Sequence, residues 1–205
     1  MRLVLLGPPG AGKGTQAARL VAALNLPHLS SGQLLREAMA AGTALGRKAK
    51  PIMERGELVS DALINEMIAE RITQKEAESG FILDGYPRTL AQAEALDRAL
   101  AEGGLELDAV LHIAVDEAAL LERILQRARE ARRRGEAVRT DDDPAVFERR
   151  MARYRAETAP LITHYRKAGK LRTVDGGQPI DRVTETLLAA IGRRRSPHRD
   201  PDNEG

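Results

Sequence analysis

The chain is predicted to fold as an α/β protein, a doubly wound parallel sheet with helices on both faces. Three observations carry this expectation. The chain opens with a short apolar run, a glycine-rich loop and a helical pattern. Short apolar runs then alternate with helical patterns to the end, as in a parallel sheet covered on both sides. A length of 205 residues suits one α/β domain carrying insertions rather than two independent domains.

Leu3 to Leu6 is continuously apolar and stops at Gly7, as a strand buried on both faces should, and Gly14 to Leu24 reads as the helix that follows. Further strand-like runs cover Gly80 to Asp84, Ala109 to Val115 and Leu171 to Asp175. Helix boundaries carry their own chemistry. Thr89 with Gln92 makes a capping box, Asp116 is placed to cap the next helix, and Asp143 before Pro144 starts another. Gly103, Gly169 and Gly192 close helices. Two segments read as insertions on the ligand side of the sheet: Ser30 to Val59, helical with breaks at Gly42, Gly46 and Gly56, and the charged stretch Ala128 to Asp143. The domain therefore spans 1–192. The polar tail 193–205 has two prolines and no apolar periodicity, so disorder is expected there.

Composition narrows the class. With 42% hydrophobic and 30% charged residues the chain is an ordinary globular one, not a disordered one. Arginine supplies 26 of the 32 basic residues, but both signs of charge are interspersed and aromatics make up only 2%, too few for base-stacking platforms, so nucleic-acid binding is not expected. Cysteine is absent, which removes disulfides and thiolate metal sites and fits a reducing cytoplasm. No apolar run is long enough to span a bilayer, and Met1 to Leu6 reads as a strand rather than a signal peptide.

Gly7-Pro-Pro-Gly-Ala-Gly-Lys-Gly-Thr15 lies between a strand and a helix, the context a phosphate-binding P-loop requires. Its glycines let successive N–H groups turn toward phosphate oxygens, while Lys13 adds a mobile cation and the helix start adds its dipole. Asp84 ends a strand at the carboxyl edge of the sheet, where open α/β folds bind ligands, and its carboxylate is suited to hold Mg²⁺ through waters. Arg88 follows closely enough to reach a phosphate. Arg123 and Arg127 are four residues apart, so they share a helix face that can grip one polyphosphate.

The Gly-Lys-Gly-Thr form, with Gly14 between Lys13 and Thr15, resembles nucleoside monophosphate kinases. Ser30-Ser-Gly-Gln-Leu-Leu-Arg36 resembles the acceptor-binding signature of adenylate kinases, and Asp84-Gly-Tyr-Pro-Arg88-Thr-Leu-Ala-Gln92 resembles their most specific signature. The resemblance runs from Met1 to about Ile191. It implies phosphoryl transfer from ATP·Mg to AMP, giving ADP, with 30–59 as a helical AMP-binding insertion and 126–139 as a short lid. Gly10, Ala11, Gly12, Lys13, Gly14, Thr15, Arg123, Arg127 and Gln178 would bind ATP. Ser31, Arg36, Glu57, Leu58, Val59, Gly85, Tyr86, Pro87, Arg88, Gln92, Arg139 and Arg150 would bind AMP. Lys13, Arg88, Arg127, Arg139 and Arg150 would be catalytic, and Asp84 the metal residue.

Phosphoryl transfer asks for in-line positioning, a metal and cations rather than covalent chemistry, which explains the arginines. The acceptor is already an ionised phosphate, so no histidine is needed, and His28, His112 and His164 read as structural or surface residues. Family members usually carry Thr and Asp where this chain has Ser31 and Gln33; Ser keeps the hydroxyl, while Gln33 loses a carboxylate near the magnesium waters. The lid has no room for the cysteine-bearing zinc element of long-lid relatives, so no structural zinc is expected. A UMP/CMP kinase is the alternative, although Thr89-Leu-Ala-Gln92 favours adenine. The guanine-reading Asn-Lys-x-Asp motif of a GTPase switch is absent. A monomer acting on small nucleotides is expected.

Overall fold

A computed structural model of the chain describes residues 1–54, 59–135, 137 and 143–192. Strand β1 (Arg2–Leu6) occupies the middle of a five-stranded parallel sheet. It pairs on one side with β3 (Phe81–Asp84) and on the other with β4 (Ala109–Ala114), while β2 (His28–Ser30) and β5 (Leu171–Asp175) form the edges, giving the order β2-β3-β1-β4-β5. Leu3, Val4, Leu5 and Leu6 are each at most 2% exposed, so neighbouring β1 residues enter different cores. Burial of each contributes roughly 1.5–3 kcal/mol.

Pleating assigns those residues to two apolar layers. Leu3 and Leu5, with Ile82, Leu111 and Ile113, meet residues of α1 (Lys13–Leu24), α6 (Glu117–Arg133), α7 (Pro144–Arg153) and α9 (Ile180–Gly192). Val4 and Leu6, with Phe81, Leu83 and Val110, meet α4 (Asp61–Ile72), α5 (Leu90–Glu102) and α8 (Pro160–Lys167). The doubly wound expectation is met. Connections from β1 and β3 leave in opposite directions, so a crevice opens between them at their carboxyl ends.

The expected strands are present within a residue of their predicted ends, and Thr89, Asp116 and Asp143 each accept the expected N-terminal backbone hydrogen bond. Three features differ from expectation. Strand β2 was not predicted; it is three residues long and follows Pro27, too short for periodicity to register. The segment after it does form helices, α2 (Ser31–Ala40) and α3 (Ala44–Glu54), broken at Gly42, but Gly46 lies inside α3 rather than at a break. The stretch expected to begin the lid continues α6 as far as Arg133, with Ala128 and Ala131 buried. Gly56 and the tail 193–205 lie outside the described residues.

Gly46 is a packing glycine. A Cβ built on it would collide with the Ala38 carbonyl of α2, a backbone group that cannot swing aside. Gly46→Ala should therefore cost about 1–3 kcal/mol, as overpacking does. Denaturant unfolding that shows no change in midpoint would refute the close approach of α2 and α3.

Candidate active site

The site forms at the carboxyl ends of β1, β2 and β3, which the sheet register brings level: Leu5 pairs with Asp84, and Asp84 with Ser30. The loop after β1 turns through Gly10 and Gly12 in left-handed backbone (φ 82° and 88°) into α1, whose start no side chain caps. Its first N–H groups thus face outward for an anion. Lys13 Nζ donates to the carbonyls of Gly7 (2.8 Å) and Pro8 (2.9 Å), closing the loop on itself. Gly14 and Thr15 are exposed at the mouth, and a Cβ on Gly14 would lie 3.9 Å from Asp84 Oδ2.

Asp84 is the carboxylate beside that loop. Burial pushes its pKa up, but His28 and the charges of Lys13 and Arg88 outweigh it and hold the carboxyl below its ordinary value. His28 Nε2 stands 3.7 Å from Asp84 Oδ2, an ion-pair spacing too long for a hydrogen bond. The Lys13 ammonium shows the opposite balance: burial pushes it down to about 8, Asp84 resists, and Arg88, Arg150 and Arg127 add to the fall. Those arginines come from α6, α7 and the loop after β3, so separate elements deliver positive charge to one place.

The loop after β3 is organised around the Gly85 carbonyl, which accepts from Ser31 Oγ (2.7 Å) and Arg88 Nε (2.7 Å). Tyr86 and Pro87, joined by a cis peptide bond, are buried beneath. Tyr86 Oη donates to Asn65 Oδ1 (2.8 Å) and lies 3.0 Å from the Gln92 carbonyl. Gln92 is itself buried, its Oε1 accepting from the Arg88 N–H (2.7 Å) and its Nε2 donating to Asp61 Oδ1 (2.8 Å). On the other flank Arg123 donates to the Gly176 carbonyl (2.9 Å), and Gln178 is exposed with Nε2 on Asp175 Oδ2 (2.9 Å).

Residues 5–170 match the protein family described as Adenylate kinase. The chain is 56% identical over 191 residues to an adenylate kinase of Methylobacterium radiotolerans, covering 93% of this chain and 96% of that one. It is 54% identical over 191 residues to an adenylate kinase of Mesorhizobium japonicum, with the same coverage. With an adenylate kinase of Chelativorans sp. strain BNC1 it shares 55% identity over 193 residues, covering 94% of this chain and 100% of that one. The chain belongs to the adenylate kinase family.

Adenylate kinases are phosphotransferases, and part of the predicted site is gathered at the carboxyl edge of the sheet. Lys13, Asp84, Arg88, Arg127 and Arg150 are electrostatically coupled there. Arg150 is half-buried while its neighbour Arg149 is exposed. Ser31 sits at the start of α2 against Gly85, and Arg36, on the same helix, is exposed. Val59 is buried; Glu57, Leu58 and Arg139 lie outside the described residues. Gln33 is exposed and donates to Glu37 (2.9 Å).

Sequence reasoning missed several contributors. Gln16, directly after Thr15, is buried and joins α1 to α9, donating to the Ile180 carbonyl (3.0 Å) and accepting from Thr184 Oγ1 (2.7 Å). Asp61 anchors Thr89 and Gln92. Thr158 donates to the Arg88 carbonyl (2.8 Å). The only sequence signal for these was a polar residue at an otherwise apolar or helix-starting position. His112, read as structural, is buried on β4, and burial with the nearby Arg166 and Lys13 lowers its pKa.

Nucleotide phosphates docking against Lys13 should restore its preference for the charged form. Above about pH 8 a partly neutral Lys13 must then be protonated on binding, so ATP affinity should fall as pH rises through that value. Calorimetry at about pH 8.5 in buffers of differing ionisation enthalpy should report proton uptake that Lys13→Met abolishes. Uptake persisting in Lys13→Met would assign the proton to another group.

Proposed function

We propose that the chain transfers the terminal phosphoryl group of magnesium-bound ATP to the phosphate of AMP, reversibly, giving two molecules of ADP. The observation that carries this reading is the convergence of Lys13, Arg88, Arg127 and Arg150 at the carboxyl edge of the sheet, with Asp84 among them. Phosphoryl transfer spreads negative charge over oxygens, and cations fixed beforehand on rigid elements meet that charge without reorganising.

In this reading the backbone of Gly10 to Thr15 and the Lys13 ammonium cradle the donor phosphates. Arg127 grips them from α6, with Arg123 and Gln178 toward the adenine of ATP. Ser31, Arg36, Gly85 to Arg88 and Gln92 take AMP, joined by Glu57, Leu58 and Val59. Arg88, Arg150 and Arg139 bear on the oxygens being transferred and accepted. No general base is assigned, because the attacking oxygen belongs to an ionised phosphate.

Asp84 is the residue that would hold magnesium, through water. A single carboxylate suits an ion that takes its remaining ligands from phosphate and water, and among the described residues no larger His, Asp or Glu cluster offers a protein cage. When bound, magnesium neutralises part of the phosphate charge and orients it. Asp84 is kept ionised by its cationic neighbours, and Gly14 keeps side-chain bulk away from it. No structural zinc is part of this reading. Small nucleotides are the partners, nucleic acid is not one, and the enzyme acts as a cytoplasmic monomer. Among the described residues no helix is long and apolar enough to cross a membrane.

A coupled assay offering AMP, CMP, UMP and GMP should show a clear preference for AMP; equal kcat/KM for AMP and CMP would move the assignment to a UMP/CMP kinase. Alanine at Lys13, Arg88, Arg127, Arg139 or Arg150 should lower kcat/KM by about 10² to 10⁵, with much of the loss in kcat. Arg149 lies about 100° around the helix from Arg150, so Arg149→Ala should change kcat/KM by no more than about twofold. Arg123→Ala should raise the KM for ATP more than it lowers kcat. Losses confined to KM throughout would show that these cations attract nucleotide without acting in the transition state.

A further inference from the structure

We infer that Asp61 is a positioning residue that sets the polarity of the Gln92 side-chain amide, and so lets the site distinguish a 6-aminopurine monophosphate from a 6-oxopurine one. This rests on the reading of Gln92 as a contact to the acceptor base.

Asp61 is the first residue of α4, where the chain returns from the helical insertion to the sheet. Both of its carboxylate oxygens are used on the start of the neighbouring helix α5. Oδ2 accepts from Thr89 Oγ1 at 2.8 Å and Oδ1 from Gln92 Nε2 at 2.8 Å. Thr89 Oγ1 in turn accepts the Gln92 backbone N–H at 3.1 Å. The other end of the Gln92 amide faces the backbone N–H of Arg88 at 2.7 Å.

Amide oxygen and nitrogen are nearly indistinguishable by shape, but their partners decide which is which. An ionised carboxylate only accepts and a backbone N–H only donates, so Gln92 has one satisfactory orientation, Nε2 toward Asp61 and Oε1 toward Arg88. Reversing it would set two acceptors together at Asp61 and two donors together at Arg88. The amide is also buried, at 2% exposure, so water cannot absorb such a mismatch.

Each end of the amide retains capacity for one further hydrogen bond. An adenine edge offers a 6-amino donor and an N1 acceptor, which an amide oxygen and N–H satisfy. A 6-oxopurine offers the reverse, an O6 acceptor and an N1–H donor, and would need the amide turned over. The Arg88 N–H is backbone and present whatever the sequence. Asp61 is the side chain whose identity decides whether reversal meets one mismatch or two.

The test compares kcat/KM for AMP and IMP, which differ at those two atoms, in the wild-type chain and in Asp61→Asn, Asp61→Ala and Gln92→Ala. Asp61→Asn keeps the shape but can turn either a donor or an acceptor toward Gln92. It should lower the AMP:IMP ratio about tenfold, chiefly through gain on IMP, with the KM for ATP unchanged. Asp61→Ala should lower the ratio by a similar factor through loss on AMP. Should the alanine variant not fold, the asparagine variant decides. An Asp61→Asn enzyme that keeps the wild-type ratio, whatever its absolute activity, overturns the inference and leaves Asp61 a structural anchor. Gln92→Ala separates the two levels. If it too keeps the wild-type ratio, the base-contact reading of Gln92 has failed; if it collapses the ratio while Asp61→Asn does not, only the role of Asp61 has failed.

Discussion

Lys13 stands among Arg88, Arg127 and Arg150 with Asp84 as the carboxylate that answers them, and that crowding of like charge is the constraint the fold must absorb. Two unit charges about 8 Å apart at an effective dielectric near 20 repel by about 2 kcal/mol, so such a cluster taxes stability. Buried apolar strands are of the right size to oppose it. The four innermost β1 residues, almost fully buried, each contribute roughly 1.5–3 kcal/mol. They also make the register stiff: sliding β3 by one residue against β1 would send Phe81 and Leu83 into the layer that Ile82 occupies, and Ile82 into theirs, and would carry Asp84 away from the loop. Packing and charge placement are thus one requirement, and the Lys13 pKa records both: burial lowers it most, Asp84 resists, and the arginines lower it further.

The second requirement is to join the helical insertion to the sheet without losing polar satisfaction. The Gly85 carbonyl takes donors from Ser31 on α2 and from Arg88 on its own loop, while Asp61 on α4 takes donors from Thr89 and Gln92 at the start of α5. Entry to and exit from the insertion are therefore both hydrogen-bonded to the same short loop. A buried network of this kind is costly when half satisfied and specific when complete. The Gln92 amide, with defined partners at both ends, belongs to the complete kind.

Much of this was legible in the sequence because it depends on local rules. A continuous apolar run into glycines marks a buried parallel strand and a phosphate loop, and Thr89, Asp116 and Asp143 announced helix starts that the structure has. What escaped depends on distant partners. His28 to Ser30 become a strand because β3 lies beside them, not because three residues have a pattern. Gly46 looked like a helix break, yet its constraint is the Ala38 carbonyl of another helix. The charge-rich residues after Arg127 read as an insertion that begins the lid, but Ala128 and Ala131 continue the buried stripe of α6. Asp61 reads in sequence as one more acidic residue at a helix start; only the fold reveals that its carboxylate is spent on α5.

The same dependence on distant partners governs the arginines. Arg150 lies on α7, whose Phe147 and Met151 pack in one apolar layer, whereas α8 packs Leu161 and Tyr165 into the other. Between them Tyr154–Thr158 forms a π-helical turn, wider than an α-helical one. The helical run therefore changes layers at that turn. Thr158 is buried there with its hydroxyl on the Arg88 carbonyl. One hydrogen bond thus ties the helix that carries Arg150 to the backbone that carries Arg88. That tie holds the backbones that bear Arg88 and Arg150 in a fixed relation, a constraint that no pattern in either segment's own residues announces.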